Sequence, residues 1–192
     1  MTLIERAQSI ITKPQETWPK LAAEPQTVGS LYSGYIIPLA LIAPVFGFVG
    51  LSLISHRSMM FGLLNGVLQY ILALVAVFVT AFIAESLAPS FNGTKDRVQA
   101  LKLIAYAQTP GWIGGVFLVI PVLGALLVLV AALYGLYLLY LGVTPVMNVP
   151  ADKAAVYTIV LVVITIVIYF CITAIVGAVL AAALLSAGAM LY

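Results

Sequence analysis

Long stretches without a charged side chain dominate this sequence. Three of them span Ser58–Ala84, Leu103–Ala151 and Ala154–Tyr192, and a fourth covers Gln26–Ser55. A bilayer core of ~30 Å is crossed by about 20 apolar residues of helix, and only helices or closed barrels pair every backbone amide within lipid. Apolar runs such as residues 159–170 lack the alternating polarity of a barrel strand. The pattern therefore predicts an all-α integral membrane protein.

The lengths of these stretches predict five transmembrane helices. We place the spans at about residues 35–54, 62–84, 103–120, 125–141 and 154–180, within a transmembrane domain of residues 33–192. The stretch Leu103–Ala151 would be ~70 Å long as one helix, too long for one crossing, and Pro121 with Gly124 supplies a turn between two spans. Pro38 and Pro44 should kink the first span.

The segment before the first span, residues 1–32, is predicted to be an interfacial segment. Its apolar side chains recur at helical spacing, at Leu3, Ile4, Ala7, Ile10 and Ile11. An amphipathic helix of this kind is typical of a membrane surface, and Trp18 follows where an interfacial aromatic side chain is expected. The alternative is that the same apolar face docks on protein.

The distribution of basic residues predicts the orientation. With five spans, seven of the eight Lys and Arg residues lie on the side of the amino terminus, and Arg57 alone lies on the other side. Because cytoplasmic loops are enriched in Lys and Arg, the amino terminus is predicted in the cytoplasm and the carboxy terminus outside, in a multi-pass protein of a bacterial inner membrane. The net charge of +2 does not indicate a nucleic-acid partner.

Residues suited to catalysis are few. The chain has one histidine, His56, and no set of His, Cys, Asp or Glu at metal-ligand spacing, so neither an enzyme nor a cofactor is predicted. His56 is expected in a solvated loop. Glu85 lies at the predicted cytoplasmic end of span two, where two roles stay open: a helix-end residue that fixes membrane depth, or a gate for a cation.

Polar residues also lie within the spans. Asn65 and Gln69 are one helical turn apart in span two, and Thr80 shares their face. Such a stripe either binds neighbouring helices by hydrogen bonds or lines a hydrophilic path. The candidate path or ligand site, between spans two and three, comprises Asn65, Gln69, Glu85, Tyr106 and Gln108.

The loop between spans two and three is polar and is the candidate partner site. Its candidate residues are Asn92, Thr94, Lys95, Asp96, Arg97 and Lys102. Because the charge-rich segments share one side, the first hypothesis is a non-enzymatic membrane organiser or adaptor that holds membrane lipid or a protein partner. The alternative is a small transporter or channel for an ion or small solute. Broken helices are a feature of transporters, and the candidate breaks are at Pro38, Pro44 and Pro110. Whether the chain forms a homo-oligomer stays open.

Several sequence elements resemble a known family. Residues 91–96 read FNGTKD and lead into LKLIAYAQTP, a proline-turn hairpin, LYGLYLLYLG and MNVPADKA. These elements resemble the bacterial branch of the Ypt/Rab-interacting-protein (Yip) domain family, as do Ile4, Arg6, Ile10, Pro14, Glu16 and Trp18 at the start. The resemblance implies a five-span membrane protein. Eukaryotic relatives bind Rab-type GTPases, but their Asp-Leu-Tyr-Gly-Pro motif is replaced here by Leu31-Tyr32-Ser33-Gly34, which argues against GTPase binding by this chain.

Overall fold

The computed structural model of the protein describes residues 2–54, 58–120 and 122–189, apart from the side chains of residue 53 and residues 184–189. The loop predicted for His56 and Arg57, and Pro121 of the predicted hairpin turn, lie outside the described residues. The described residues form helices and irregular connections without a strand, which confirms the all-α class.

The helical segments follow one another with short connections. In chain order they are α1 (Leu3–Thr12), α2 (Pro14–Ala23), α3 (Val28–Leu31), a π-helical turn (Tyr32–Ile36), α4 (Ile37–Ala40), α5 (Ile42–Phe48), a second π-helical turn (Val49–Ile54), α6 (Met59–Leu87), a 3₁₀ turn (Ala88–Phe91), α7 (Arg97–Ala107), α8 (Thr109–Gly114), a second 3₁₀ turn (Gly115–Val119), α9 (Leu123–Met147) and α10 (Ala151–Ala189).

Four helical stretches of the described residues are long and apolar enough to cross a bilayer: Val28–Ser52, Met59–Phe91, Leu123–Met147 and Ala151–Ala183. They correspond to predicted spans one, two, four and five and are longer than predicted, although the first ends at Ser52 and not at residue 54. Only 11% to 28% of their most apolar windows is buried within the protein, so apolar side chains cover their outer faces. Such faces are stable against lipid and unstable against water.

The first of these stretches is irregular, as its prolines predicted. The Ile37 amide reaches back five residues to the Tyr32 carbonyl, which widens the helix one turn before Pro38. A second break lies at Leu41, before Pro44. Proline has no amide hydrogen and crowds the preceding turn, so both irregularities have a local cause.

The predicted third span, residues 103–120, differs most from expectation because it is not one helix. It is divided into α7, α8 and a 3₁₀ turn, and the break at Gln108 precedes Thr109 and Pro110. Its far part packs closely on span one, where a Cβ atom on Gly115 would lie 2.6 Å from the Ala43 Cα atom. The third segment is therefore a broken helix inside the bundle.

The amphipathic helix is present as α1, but its apolar face is covered by protein. Thr2 caps it, since the threonine hydroxyl accepts from the Glu5 amide and the Glu5 carboxylate accepts from the Thr2 amide. Ala7 and Ile10 are buried in the core, whereas Ile4 is 72% exposed. The structure thus favours the alternative of docking on protein over the predicted membrane surface, with Ile4 left facing outward.

Polar connections collect at one end of the bundle, which we call the charged end. It comprises α1, α2, the loop of residues 92–96, α7 and the start of α10. The loop contacts the end of α9, where the Thr94 amide donates to the Met147 carbonyl at 2.8 Å. The opposite end, beside Gly50 and Leu118, is called the far end.

Candidate functional site

The centre of the charged end is α7, which is enclosed by other helices. Every residue from Ala100 to Ala107 is buried, and α2, α3, α6 and α9 pack around it. A surface helix has one polar face, so a helix buried on all sides must pair its polar groups within the protein. Lys102 is the cation placed inside this packing, at 2% exposure.

Lys102 binds the end of α2. Its ammonium group donates to the carbonyls of Ala22 at 3.1 Å and Glu24 at 2.6 Å, and Gln99 Nε2 donates to the Ala22 carbonyl at 3.0 Å. The last carbonyls of a helix lack partners within it, and a cation there also interacts favourably with the helix dipole. Burial lowers the pKa of Lys102 from its usual value. Lys102 was predicted to contact a partner, and in the structure it contacts the chain itself.

The first two helices are attached to the bundle by further polar contacts. Arg6 of α1 forms an ion pair with Glu24, at the residue that follows α2. The Tyr134 hydroxyl of α9 donates to the Ile11 carbonyl at 2.6 Å. Trp18 of α2 is 1% exposed and lies against Gly142, where an added Cβ atom would be 2.7 Å from the indole ring. The segment of residues 1–32 is thus built into the bundle.

Tyr106, one of the predicted path residues, belongs to an aromatic cluster beneath these helices. Its ring centroid lies 4.6 Å from that of Tyr35 and 6.2 Å from that of Trp18. Its hydroxyl hydrogen-bonds with the Gln26 side chain at 3.3 Å, and the Tyr35 hydroxyl bonds with the Thr109 hydroxyl at 2.7 Å. Aromatic pairs at these distances contribute stability beyond their buried area. The cluster therefore joins span one to both sides of the helix break.

The predicted partner loop is folded onto the end of α9. Asn92 and Asn148 both have left-handed backbone angles, with φ of 61° and 54°, which asparagine tolerates better than most residues. The Asn148 side-chain amide donates to the Thr94 hydroxyl at 3.1 Å. A Cβ atom on Gly93 would lie 2.6 Å from a methyl group of Val149, so any larger residue here would require its neighbours to shift. These contacts therefore fix residues 92–94 against residues 147–149.

The charged residues of that loop divide into structural and exposed ones. Asp96 caps α7 by accepting from the Gln99 amide at 2.9 Å. Arg97 donates to the Glu85 carboxylate at 2.8 Å, and its guanidinium lies 5.2 Å from the centroid of the Phe82 ring. Lys95 is exposed and forms no ion pair or hydrogen bond with the described part of the chain. A partner role for these residues stays a prediction, and Lys95 is the member best placed for it.

Glu85 lies at the charged end of α6 and is only 7% exposed. Its ion pair with Arg97 balances its charge at the helix end, which fits the role of fixing the depth of the helix. It does not line the cavities described below. Its predicted role as a gate for a cation stays a prediction.

Two of the predicted path residues meet in a cavity between α6, the α7–α8 break and α10. Gln69 and Gln108 line it together with Thr80 and Thr165, and its volume is about 230 Å³. A neighbouring cavity of about 200 Å³ against α9 shares Gln108 and Thr165 with the first. Neither side-chain amide forms a hydrogen bond with another described residue. Asn65 and Tyr106 do not line either cavity.

The geometry offers no cluster of metal-ligand type within the part of the chain that the structure describes. The contacts that sequence reasoning missed are those of Lys102, of Arg6 with Glu24, and of Trp18 with Gly142. A lysine between Leu101 and Leu103 was the available signal for the first, because a buried cation must find acceptors.

The family comparison agrees with the motifs that meet at the charged end. The model of the Yip1 domain matches residues 8–173. The chain belongs to the Yip1 domain family. The match covers α2, the 92–96 loop, the broken helix and most of α10, and it begins within α1. No curated protein and no solved structure matched the chain. With its long apolar helices, this Yip1-family chain is a membrane protein.

Proposed function

We propose that this Yip1-family protein is a non-enzymatic organiser of a membrane, which holds lipid or a protein partner at its charged end. The observation that carries the proposal is the construction of that end. Lys102 of α7 and Arg6 of α1 both contact Glu24 at the end of α2. Arg97 of α7 contacts Glu85 of α6, and Thr94 of the loop contacts the end of α9. A surface preorganised in this way loses little conformational entropy on binding.

The proposal assigns the charged end to the cytoplasm of a bacterial inner membrane. Most Lys and Arg residues lie there, and such residues concentrate in cytoplasmic loops. With the broken segment of residues 103–119 as the fifth crossing, the amino terminus lies in the cytoplasm and α10 leads to the outside. Its passage from Lys102 at the charged end to Gly115 beside Ala43 supports that count.

The adaptor role is tested at Lys95, the exposed cation of the loop. A photo-crosslinking amino acid at position 95 should capture a discrete set of protein or lipid species in native membranes, and Lys95→Glu should reduce their recovery with the purified protein. Val163 on α10 is 55% exposed and serves as the control position, where we expect bulk lipid alone. Equal capture at positions 95 and 163, or unchanged co-purifying species with Lys95→Glu, would reject the role.

A transporter or channel is the second candidate, favoured by the adjoining cavities at Gln69 and Gln108. The side-chain amides of Gln69 and Gln108 have no hydrogen-bond partner within the described bundle, which favours the binding of water or a polar solute. A broken helix at such a site is a feature of transporters. Proteoliposomes should then pass an ion or small solute, and Gln108→Leu should reduce the flux. Asn65→Leu is the control, because Asn65 does not line either cavity. Vesicles that stay impermeable to every solute tested would count against transport.

A further inference from the structure

A separate cavity lies where α1 passes into α2 and both meet α9. It is lined by residues 12–16 together with Tyr134 and Tyr137, and its volume is about 360 Å³. This size is within the range of small-molecule sites, which begins at about 300 Å³. Unlike the cavities beside Gln108, this one has charged groups on its wall.

The wall of this cavity carries one positive and one negative side chain. Lys13 and Glu16 both line it, both are exposed, and no ion pair joins them to each other or to another described residue. The Tyr134 hydroxyl donates a hydrogen bond to the Ile11 carbonyl at 2.6 Å, which holds the end of α1 against α9 beside the cavity. The Tyr137 hydroxyl makes no hydrogen bond within the described chain. The cavity therefore presents a cation, an anion and a hydroxyl at once.

The cavity continues into a lipid-facing surface of α9. Leu126, Leu129, Val130, Leu133 and Tyr137 recur at helical spacing and are between 46% and 64% exposed. Tyr137 belongs both to this stripe and to the cavity wall. A molecule with its polar part in the cavity can therefore lay an apolar chain along the stripe. This continuity indicates a phospholipid rather than a free solute.

We propose that this cavity binds the phosphoethanolamine headgroup of a membrane phospholipid. Lys13 and the Tyr137 hydroxyl donate to the phosphate oxygens, and the Glu16 carboxylate accepts from the primary ammonium group. Charge-assisted hydrogen bonds of this kind are stronger than neutral ones. A headgroup with a quaternary ammonium has no N–H to donate and is bound by facing aromatic rings. Tyr134 and Tyr137 are neighbours on one helix, with ring planes 38° apart, and do not form such a cage.

Lys13 and Glu16 should affect lipid binding in different ways, and this difference tests the proposal. Native mass spectrometry of the detergent-purified protein would follow the binding of phosphatidylethanolamine, phosphatidylcholine and phosphatidylglycerol with identical acyl chains. The wild type should favour phosphatidylethanolamine by about tenfold. Lys13→Met should weaken the binding of all three lipids, because each carries the phosphate that Lys13 contacts. Glu16→Gln should abolish the preference for phosphatidylethanolamine over phosphatidylcholine.

Control variants separate this site from general attraction to lipid. Lys20 is an exposed lysine of α2 outside the cavity, so Lys20→Met should bind every lipid as the wild type does. Tyr137→Phe removes one hydroxyl and should weaken the binding of phosphatidylethanolamine by severalfold. Elution as a single species and native Trp fluorescence would show that each variant is folded.

Three results would overturn the proposal: equal binding of phosphatidylethanolamine and phosphatidylcholine by the wild type, strongest binding of phosphatidylglycerol, or equal effects of Lys13→Met and Lys20→Met. The inference deepens the proposed organiser function by naming a lipid class for it. Because that function is tested at Lys95 and this site at Lys13 and Glu16, the failure of one test is distinguishable from the failure of the other.

Discussion

Replacing Lys102 with methionine should weaken the docking of α2 on α7. The side chain is 2% exposed, and its ammonium group donates to the Ala22 carbonyl at 3.1 Å and the Glu24 carbonyl at 2.6 Å. Methionine keeps a long, flexible apolar chain in the same space but has no donor. The variant therefore removes the ammonium contacts between the two helices, while it leaves the Gln99 contact in place and largely preserves the packing around α7.

The size of the effect follows from which acceptor loses its partner. The Ala22 carbonyl keeps a second donor, Gln99 Nε2 at 3.0 Å, whereas the Glu24 carbonyl loses the donor that Lys102 supplies. An acceptor left without its donor costs about 1–3 kcal/mol. The variant also removes the cost of burying an ammonium group, which offsets part of the loss. We expect a net loss of about 1–2 kcal/mol, or a roughly tenfold larger population of undocked α2.

Hydrogen exchange of the α2 amides measures this population directly. If α2 exchanges after undocking, its rate is proportional to the undocked fraction, so Lys102→Met should increase it by roughly tenfold. Trp18 gives a second readout: the chain has two tryptophans, and in a Trp112→Phe background only the buried Trp18 remains to report exposure. Lys20→Met, an exposed substitution in the same helix, is the matched control.

Two outcomes would refute this reasoning. Equal exchange of α2 in the Lys102→Met and Lys20→Met variants would show that the ammonium contacts do not hold the helix. Faster exchange throughout α6 and α9 as well would show that Lys102 supports the whole bundle, and the role assigned to docking α2 would be wrong.

The remaining predictions concern packing, a buried hydrogen bond and pH. Gly142→Ala should lower the thermal unfolding midpoint, because the added Cβ atom would lie 2.7 Å from the Trp18 ring. Gly34→Ala is the control and should not lower it, because an added Cβ atom there meets no neighbouring group within 4 Å. Equal midpoints for the two variants would contradict this prediction. Tyr35→Phe and Thr109→Val should each lower the free energy of unfolding by about 1 kcal/mol. The double variant should lose less than the sum of the two, because both changes remove the same 2.7 Å hydrogen bond. Strictly additive losses would contradict a contribution from that bond. Because burial lowers the pKa of Lys102 from 10.5, the unfolded chain binds this proton more tightly, so raising the pH toward 10.5 should stabilise the wild type relative to Lys102→Met. Unfolding curves across this pH range would measure the difference, and a constant difference would refute the linkage.

Much of the membrane architecture could be predicted because its signals are local. Four of the five expected spans correspond to long apolar helices, since the cost of placing a polar residue in lipid depends on the residue itself and its depth. The irregular first span followed in the same way from Pro38 and Pro44. The third span could not be predicted as it is, because its apolar residues match lipid and protein equally well. Its break was predicted only as a candidate, at Pro110, under the transporter alternative.

The sequence by itself determined that the chain is a helical membrane protein, where most of its long helices lie, and which family it resembles. Only the tertiary structure decided what the polar residues do. It placed Gln69 and Gln108 in one cavity, turned Tyr106 toward Gln26, and brought Lys102 to carbonyls 78 and 80 residues away along the chain. The physical reason is that hydropathy is a sum over neighbouring residues, whereas a buried polar group takes its partner from whichever helix packs beside it.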